Sequence, residues 1–124
     1  MIRIGADEAI YVATVIALYC DLPDTPLRPS LTDQAVARKL SQDAVPLPLV
    51  ESALLLATLR RLIRASDLPP LPKVRSLAYF LPVIDEVQLQ PLPDGYLAYL
   101  RLKLQNLSQT DRPGIQKSTS TDDR

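Results

Sequence analysis

Apolar positions along the chain fall into five stretches, which polar or proline-rich segments separate. In the later stretches apolar residues recur at three- and four-residue spacing, which is the period of an amphipathic helix. The first stretch is rich in β-branched residues and also permits a strand, but its length and near-continuous apolarity favour a buried helix. The pattern predicts helices over about 7–20, 31–42, 48–65, 76–88 and 96–107.

The third and fourth helices form the hydrophobic centre of the chain, from Val45 to Val87. The third is apolar nearly all round in its first half and amphipathic in its second, which predicts a buried start and an exposed end. Pro82 falls inside the fourth helix, so we expect a kink there or a start of regular helix near Leu81. The connector 67–73 is proline-rich and should be extended, because a residue that precedes proline is pushed out of the helical region.

Local signals mark where helices begin and where the folded part ends. Ser30-Leu31-Thr32-Asp33 resembles a capping box, with Ser30 or Thr32 as the cap. From residue 108 onward the chain is polar and almost lacks large apolar side chains, which predicts a disordered tail over 108–124. The sequence thus predicts an all-α protein with one helical domain, residues 1–107.

Composition narrows the functions that this chain can serve. It has no histidine and one cysteine, Cys20, so neither a metal site nor another cofactor is indicated, and no internal disulfide can form. Without histidine, and with paired carboxylates only at adjacent positions, we expect no enzyme. The net charge is zero, which disfavours bulk coating of nucleic acid. The single cysteine makes a reducing cytoplasm the expected location. The apolar run 9–20 is too short to span a bilayer, so we expect no membrane anchor.

The strongest candidate for a binding site is a group of five cations near the connector. A helical hairpin would bring them to one end of the domain, where guanidinium groups could bind phosphates. The alternative is a solvated helix end, because cations are also favourable near a helix C-terminus. The candidate residues are Arg60, Arg61, Arg64, Lys73 and Arg75.

Two further features suggest contact with nucleic acid, and each has a simpler structural explanation. Tyr79 could stack on a base, but an aromatic residue in so apolar a helix is more often part of the core. Residues 35–54 have the helix–break–helix order of a helix-turn-helix motif. The start of the second helix offers only Glu51 or Ser52 to a base edge, so reading of the major groove by this helix is not expected.

Residues 45–84 resemble two groups of proteins. The stretches Val50–Ala57 and Leu77–Ile84 are similar to the DnaD-like helical domain of bacterial replication-initiation proteins, which implies binding to DNA and to replication proteins. A broader resemblance, to small uncharacterised helical proteins of bacterial mobile elements, implies no particular activity. It is carried by Asp21 to Pro26, Arg28, Ser30, Val45, Leu47, Leu49, Val50, Ala53, Leu54, Leu56, Ala57, Arg60, Arg61, and Val74 to Ile84 with Glu86.

Together these observations predict a non-enzymatic accessory module in DNA transactions, either replication or mobile-element maintenance. It would contact DNA phosphates, or a replication or transposition protein, through the five cations. The alternative is a protein-interaction or oligomerisation module without nucleic-acid affinity, in which surplus apolar surface on the first or third helix packs against another chain.

Overall fold

The structure, a computed structural model, describes residues 4–64 and 67–110. Within these ranges it contains five α-helices and no strand, which confirms the predicted all-α class. A 3₁₀ turn, Leu77–Phe80, precedes the fourth helix. The helices are α1 (Ile4–Cys20), α2 (Leu31–Gln42), α3 (Leu47–Leu62), α4 (Leu81–Leu89) and α5 (Tyr96–Thr110).

Helix α3 lies at the centre of the fold and contacts α1, α4 and α5. Its first half is apolar nearly all round, so it can be buried on several sides at once. The small side chains of Ala53 and Ala57 are both buried, which leaves room for neighbouring helices to approach. Larger side chains such as Val50 and Leu54 fill the core around them. The central position predicted for this helix is therefore confirmed.

The start of α2 is tied to a distant part of the chain by Asp33. The Ser30 hydroxyl accepts a hydrogen bond from the Asp33 backbone N–H at 3.0 Å, and the Asp33 carboxylate accepts one from the Ser30 N–H at 2.9 Å. This is the predicted capping box, and Ser30 is its cap. The second oxygen of the same buried carboxylate accepts the backbone N–H of Leu77 at 2.9 Å. Asp33 thus joins the start of α2 to the 3₁₀ turn.

Of the two outcomes expected at Pro82, a kink or a start of regular helix near Leu81, the structure shows the second. Regular α-helix starts at Leu81, and proline occupies its first turn, where the missing N–H would have no helical partner. The preceding residues form the tighter 3₁₀ turn, and the Ser76 hydroxyl caps it by accepting the N–H of Ala78 at 3.1 Å. Leu77, Phe80, Ile84 and Val87 are buried along this segment.

Some predicted boundaries were wrong by three residues. Helix α3 ends at Leu62 rather than at 65, because Ile63 takes a non-helical conformation (φ −98°, ψ 14°) and the chain turns away. Helix α5 continues to Thr110 rather than ending at 107, since polar residues carry only a small helix penalty. The remainder of the predicted tail, 111–124, lies outside the described residues.

The core contains two aromatic rings in edge contact. Tyr19 and Phe80 are buried, and their ring centroids lie 6.0 Å apart at 79°. Burial, together with the nearby charge of Asp33, raises the pKa of Tyr19 to about 12.

Among the helices of the described ranges, none combines the length and hydrophobicity that a membrane crossing requires.

Candidate functional site

Three of the five predicted cations come together where α3 meets the 3₁₀ turn and α4. Arg60, Arg61 and Arg64 line a shallow cavity of about 360 Å³. They occupy the last turn of α3 and the residues just after it, so the helical hairpin does gather them at one end. Apolar and aromatic side chains complete the lining, namely Ala57, Leu71, Tyr79 and Val83.

Arg60 is engaged by a carboxylate of α4. Its two terminal nitrogens donate to the two oxygens of Glu86 at 2.9 and 2.6 Å, which is a bidentate ion pair. The hydrogen bond from Arg60 holds the pKa of Glu86 below its usual value. Both side chains are about half exposed, so solvent weakens the pair. A phosphate that bound Arg60 would have to compete with this carboxylate.

Arg61 is far more enclosed than Arg60, with a side chain only 10% exposed. One terminal nitrogen donates to the carbonyl oxygen of Pro72 at 2.9 Å and lies 3.6 Å from an Asp24 carboxylate oxygen. The other donates to the Tyr79 hydroxyl at 3.0 Å. Its guanidinium carbon lies 5.4 Å from the centre of the Tyr79 ring, within cation–π range. Arg61 therefore links α3 to three other segments.

The sequence predicts Arg64 inside the third helix, but it lies two residues beyond the end of α3. Its guanidinium donates to the carbonyl oxygen of Pro69 at 2.9 Å. Arg61 and Arg64 thus bind two carbonyl oxygens of the connector, whose residues 68–73 we call the proline strap. A second cavity, of about 380 Å³, lies where the strap passes Asp24 and Leu62.

The two remaining cations of the predicted site are exposed. Lys73 and Arg75 follow Pro72, and neither has a hydrogen-bond or ion-pair partner among residues 4–64 and 67–110. They do not line either cavity at the arginines. Between them Val74 is buried, and its N–H donates to the carbonyl oxygen of Asp24 at 2.9 Å. The predicted set therefore divides into three engaged arginines and two free cations.

The sequence favours a core position for Tyr79, and this prediction is wrong. The side chain is 45% exposed, and its ring packs edge-on against Phe80 with centroids 5.2 Å apart. Asp24 and Glu86 were not predicted as partners of the arginines. Asp24 adopts a left-handed conformation (φ 64°), which aspartate tolerates better than most residues. Nothing in the local sequence identified it, because its contacts come from remote segments.

Glu51 and Ser52, the two candidates for reading a base edge, and the single cysteine make structural contacts in the folded domain or are partly buried in it. Glu51, at the start of α3, accepts two hydrogen bonds from Arg101 of α5, at 2.8 and 2.7 Å, and Ser52 is buried. Neither is therefore presented to a base edge. Cys20 is half-buried, and burial raises the pKa of its thiol, which makes it a poor nucleophile.

Comparison of the chain with protein-family models, curated proteins and solved structures finds no match. The resemblance of residues 45–84 to mobile-element and DnaD-like proteins therefore stays a prediction. What the described residues do establish is an exposed proline strap, held by two arginines and flanked by free cations.

Proposed function

We propose that the protein is a non-enzymatic accessory module in DNA transactions that works through contact with a protein partner. The contact with a protein partner is supported by one observation: Arg61, in the last turn of α3, and Arg64, just after that helix, donate hydrogen bonds to carbonyl oxygens of the exposed proline strap. Guanidinium groups that already donate to carbonyl oxygens are less available to phosphates. The surface that they support consists of proline and leucine with cations at its edge, and exposed apolar surface is typical of interaction sites.

The role in DNA transactions is supported by the resemblance of Val45–Ile84 to proteins of mobile elements and replication initiation. The DnaD-like similarity implies a helical module that binds replication proteins, whereas the mobile-element similarity implies no particular activity. In that setting a small module can act on DNA indirectly, by binding to a protein that is itself bound there.

Direct contact with DNA phosphates is a second candidate, which one observation favours. Lys73 and Arg75 are exposed and have no carboxylate partner in the described part of the chain. Each phosphate contacted on duplex DNA contributes roughly −0.9 to the slope of log K against log salt concentration. Contact through these two cations alone therefore predicts weak binding with a slope of roughly −2.

A test of the proposal uses a replication initiator or transposase encoded beside this gene. Labelled duplex DNA is mixed with that protein, and the fluorescence anisotropy is followed as the present protein is added. We expect a further rise in anisotropy, and no rise when the initiator or transposase is omitted. A matched light-scattering measurement gives the oligomeric state of the protein alone.

Other outcomes separate the candidates. A salt-sensitive rise without the initiator, abolished in Lys73→Ala/Arg75→Ala and retained in Arg60→Ala, would establish direct phosphate contact instead. A stable dimer that leaves the DNA complex unchanged would indicate an oligomerisation module. The lack of any replication or transposition gene nearby would count against the role in DNA transactions.

A further inference from the structure

We propose that the proline strap is a polyproline-type ligand for a partner domain whose groove is lined by aromatic side chains and flanked by acidic ones. The inference rests on the proposed function, because it specifies which surface meets the protein partner and what chemistry that partner has.

The covalent chemistry of the strap favours a polyproline II conformation. Pro69, Pro70 and Pro72 have φ fixed near −65° by their rings. Leu68, Pro69 and Leu71 each precede a proline, which pushes ψ towards about 120–160°. These values are close to those of the polyproline II helix, roughly −75° and 145°. Residues 69–76 belong to neither helix nor strand in the structure, as this conformation requires.

The two arginines bind the strap along one edge. A polyproline II helix has three residues per turn, so the carbonyl groups of Pro69 and Pro72 leave it on the same side. Those are the two carbonyls that accept hydrogen bonds, from Arg64 and Arg61 respectively, each at 2.9 Å. This edge therefore faces the last turn of α3 and the residues just after it. Since the strap is already ordered, a partner that binds it need not supply the free energy of ordering a flexible segment.

The rest of the strap is open to a partner. All residues from 67 to 73 are exposed, including Leu68 at 48% and Leu71 at 37%. The strap contains two Leu-Pro dipeptides, Leu68-Pro69 and Leu71-Pro72, one turn apart. This is the spacing of PxxP ligands, which bind in aromatic-lined grooves. No hydrogen bond from a described residue reaches the carbonyl oxygens of Leu68 or Leu71, so a partner can donate to them.

The positive charges at one end of the strap indicate which side chains should flank the partner's groove. Lys73 follows the second dipeptide directly, Arg75 lies two residues further on, and both are exposed. A groove with acidic side chains at the corresponding end would be complementary, which raises the association rate and fixes the direction of binding.

The chain contains its own control for this proposal. Pro26-Leu27-Arg28-Pro29 has the same PxxP spacing, and Leu27 is 91% exposed. That loop bends at Leu27 and Arg28, between its two prolines, whereas the bend of the strap lies at Leu68, ahead of Pro69, and residues 69–73 contain none. If the held conformation is what a partner recognises, the strap should bind and the loop should not.

The experiment titrates the full ¹⁵N-labelled chain with purified SH3, WW and EVH1 domains that have acidic residues beside the groove. With at least one domain, the amide signals of Leu68, Leu71 and Lys73 should shift. The double variant Leu68→Ser/Leu71→Ser should bind at least tenfold more weakly, and the matched control Leu27→Ser should bind as the unmodified protein does. Because all three leucines are exposed, unchanged amide shifts in α3 will show that each variant is folded.

The proposal is overturned if none of the three domains shifts the strap signals, if the shifts centre on Leu27, or if the double variant binds undiminished. The same double variant, added to the initiator–DNA complex, separates this inference from the proposed function. Unchanged binding there would refute the strap as the contact while the accessory role stands. A failure of the unmodified protein to bind that complex would refute the accessory role instead.

Discussion

Replacement of Asp33 by alanine should destabilise the protein more than any other single loss of a polar side chain described above. The carboxylate is 1% exposed and accepts two backbone N–H groups, those of Ser30 and Leu77. Loss of the capping interaction costs about 1 kcal/mol. The Leu77 N–H is buried and would keep no acceptor, which costs about 1–3 kcal/mol more. The free energy of unfolding should therefore fall by about 2–4 kcal/mol, a large part of a typical domain's stability.

Variants of graded severity test this reasoning. Asp33→Asn keeps one carbonyl oxygen and should cost about 1–2 kcal/mol. Ser30→Ala removes only the cap and should cost about 1 kcal/mol. Asp85→Ala serves as the matched control, because the exposed Asp85 side chain has no hydrogen bond or ion pair to a described residue, and its loss should change the free energy of unfolding by less than about 0.5 kcal/mol.

The assay is urea unfolding at pH 7, followed by far-ultraviolet circular dichroism because the chain has no tryptophan. A loss below about 1 kcal/mol for Asp33→Ala would refute the argument, since it would mean that the buried Leu77 N–H gains little from its acceptor. So would equal losses for Asp33→Ala and Asp85→Ala.

Urea unfolding of other variants, at pH 7 unless a pH range is given, should have the following outcomes. Tyr19→Phe should stabilise the protein by up to about 1 kcal/mol, since the buried hydroxyl has no hydrogen-bond partner among the described residues. Burial and the nearby charge of Asp33 raise the pKa of Tyr19 from 10.0 to about 12, so the contribution of this residue to stability is fully present below pH 10 and is lost as the pH rises to 12. The variant should lack that loss when unfolding is measured between pH 10 and 12. Arg61→Ala should cost about 1–2 kcal/mol and the half-exposed Arg60→Ala less than about 1 kcal/mol, and the reverse order would contradict the assigned roles. Ala53→Leu should cost about 1–3 kcal/mol through overpacking, and a neutral result would show that α3 has spare room.

The sequence predicts this fold best where structure is decided locally. Ser30 and Asp33 are three residues apart, and their reciprocal hydrogen bonds could be inferred from their chemistry alone. Pro82 likewise has a defined effect on the residues around it, and regular helix begins at Leu81. The periodic apolar residues of α3 identified the central helix, because burial on several sides requires apolar side chains on several sides.

The candidate site could be predicted only as a collection of charges. The residues were correctly gathered at one end, but their partners come from separate segments: Glu86 for Arg60, and Asp24, Pro72 and Tyr79 for Arg61. No local spacing encodes such contacts. Whether an arginine faces solvent or holds a neighbouring segment depends on tertiary packing, and for the same reason the exposure of Tyr79 could not be inferred.

The central position of α3 has a consequence for how the molecule opens. Because α1, α4 and α5 all contact α3, the detachment of any one of these three helices would expose apolar side chains of α3 to water. Amides in the middle of α3 should therefore exchange with solvent deuterium only when the whole domain unfolds. Arg61 connects this helix to Pro72 of the strap, so binding of a partner to the folded strap should slow exchange deep inside α3. Deuterium uptake at the most buried helix would thus report an event on the surface.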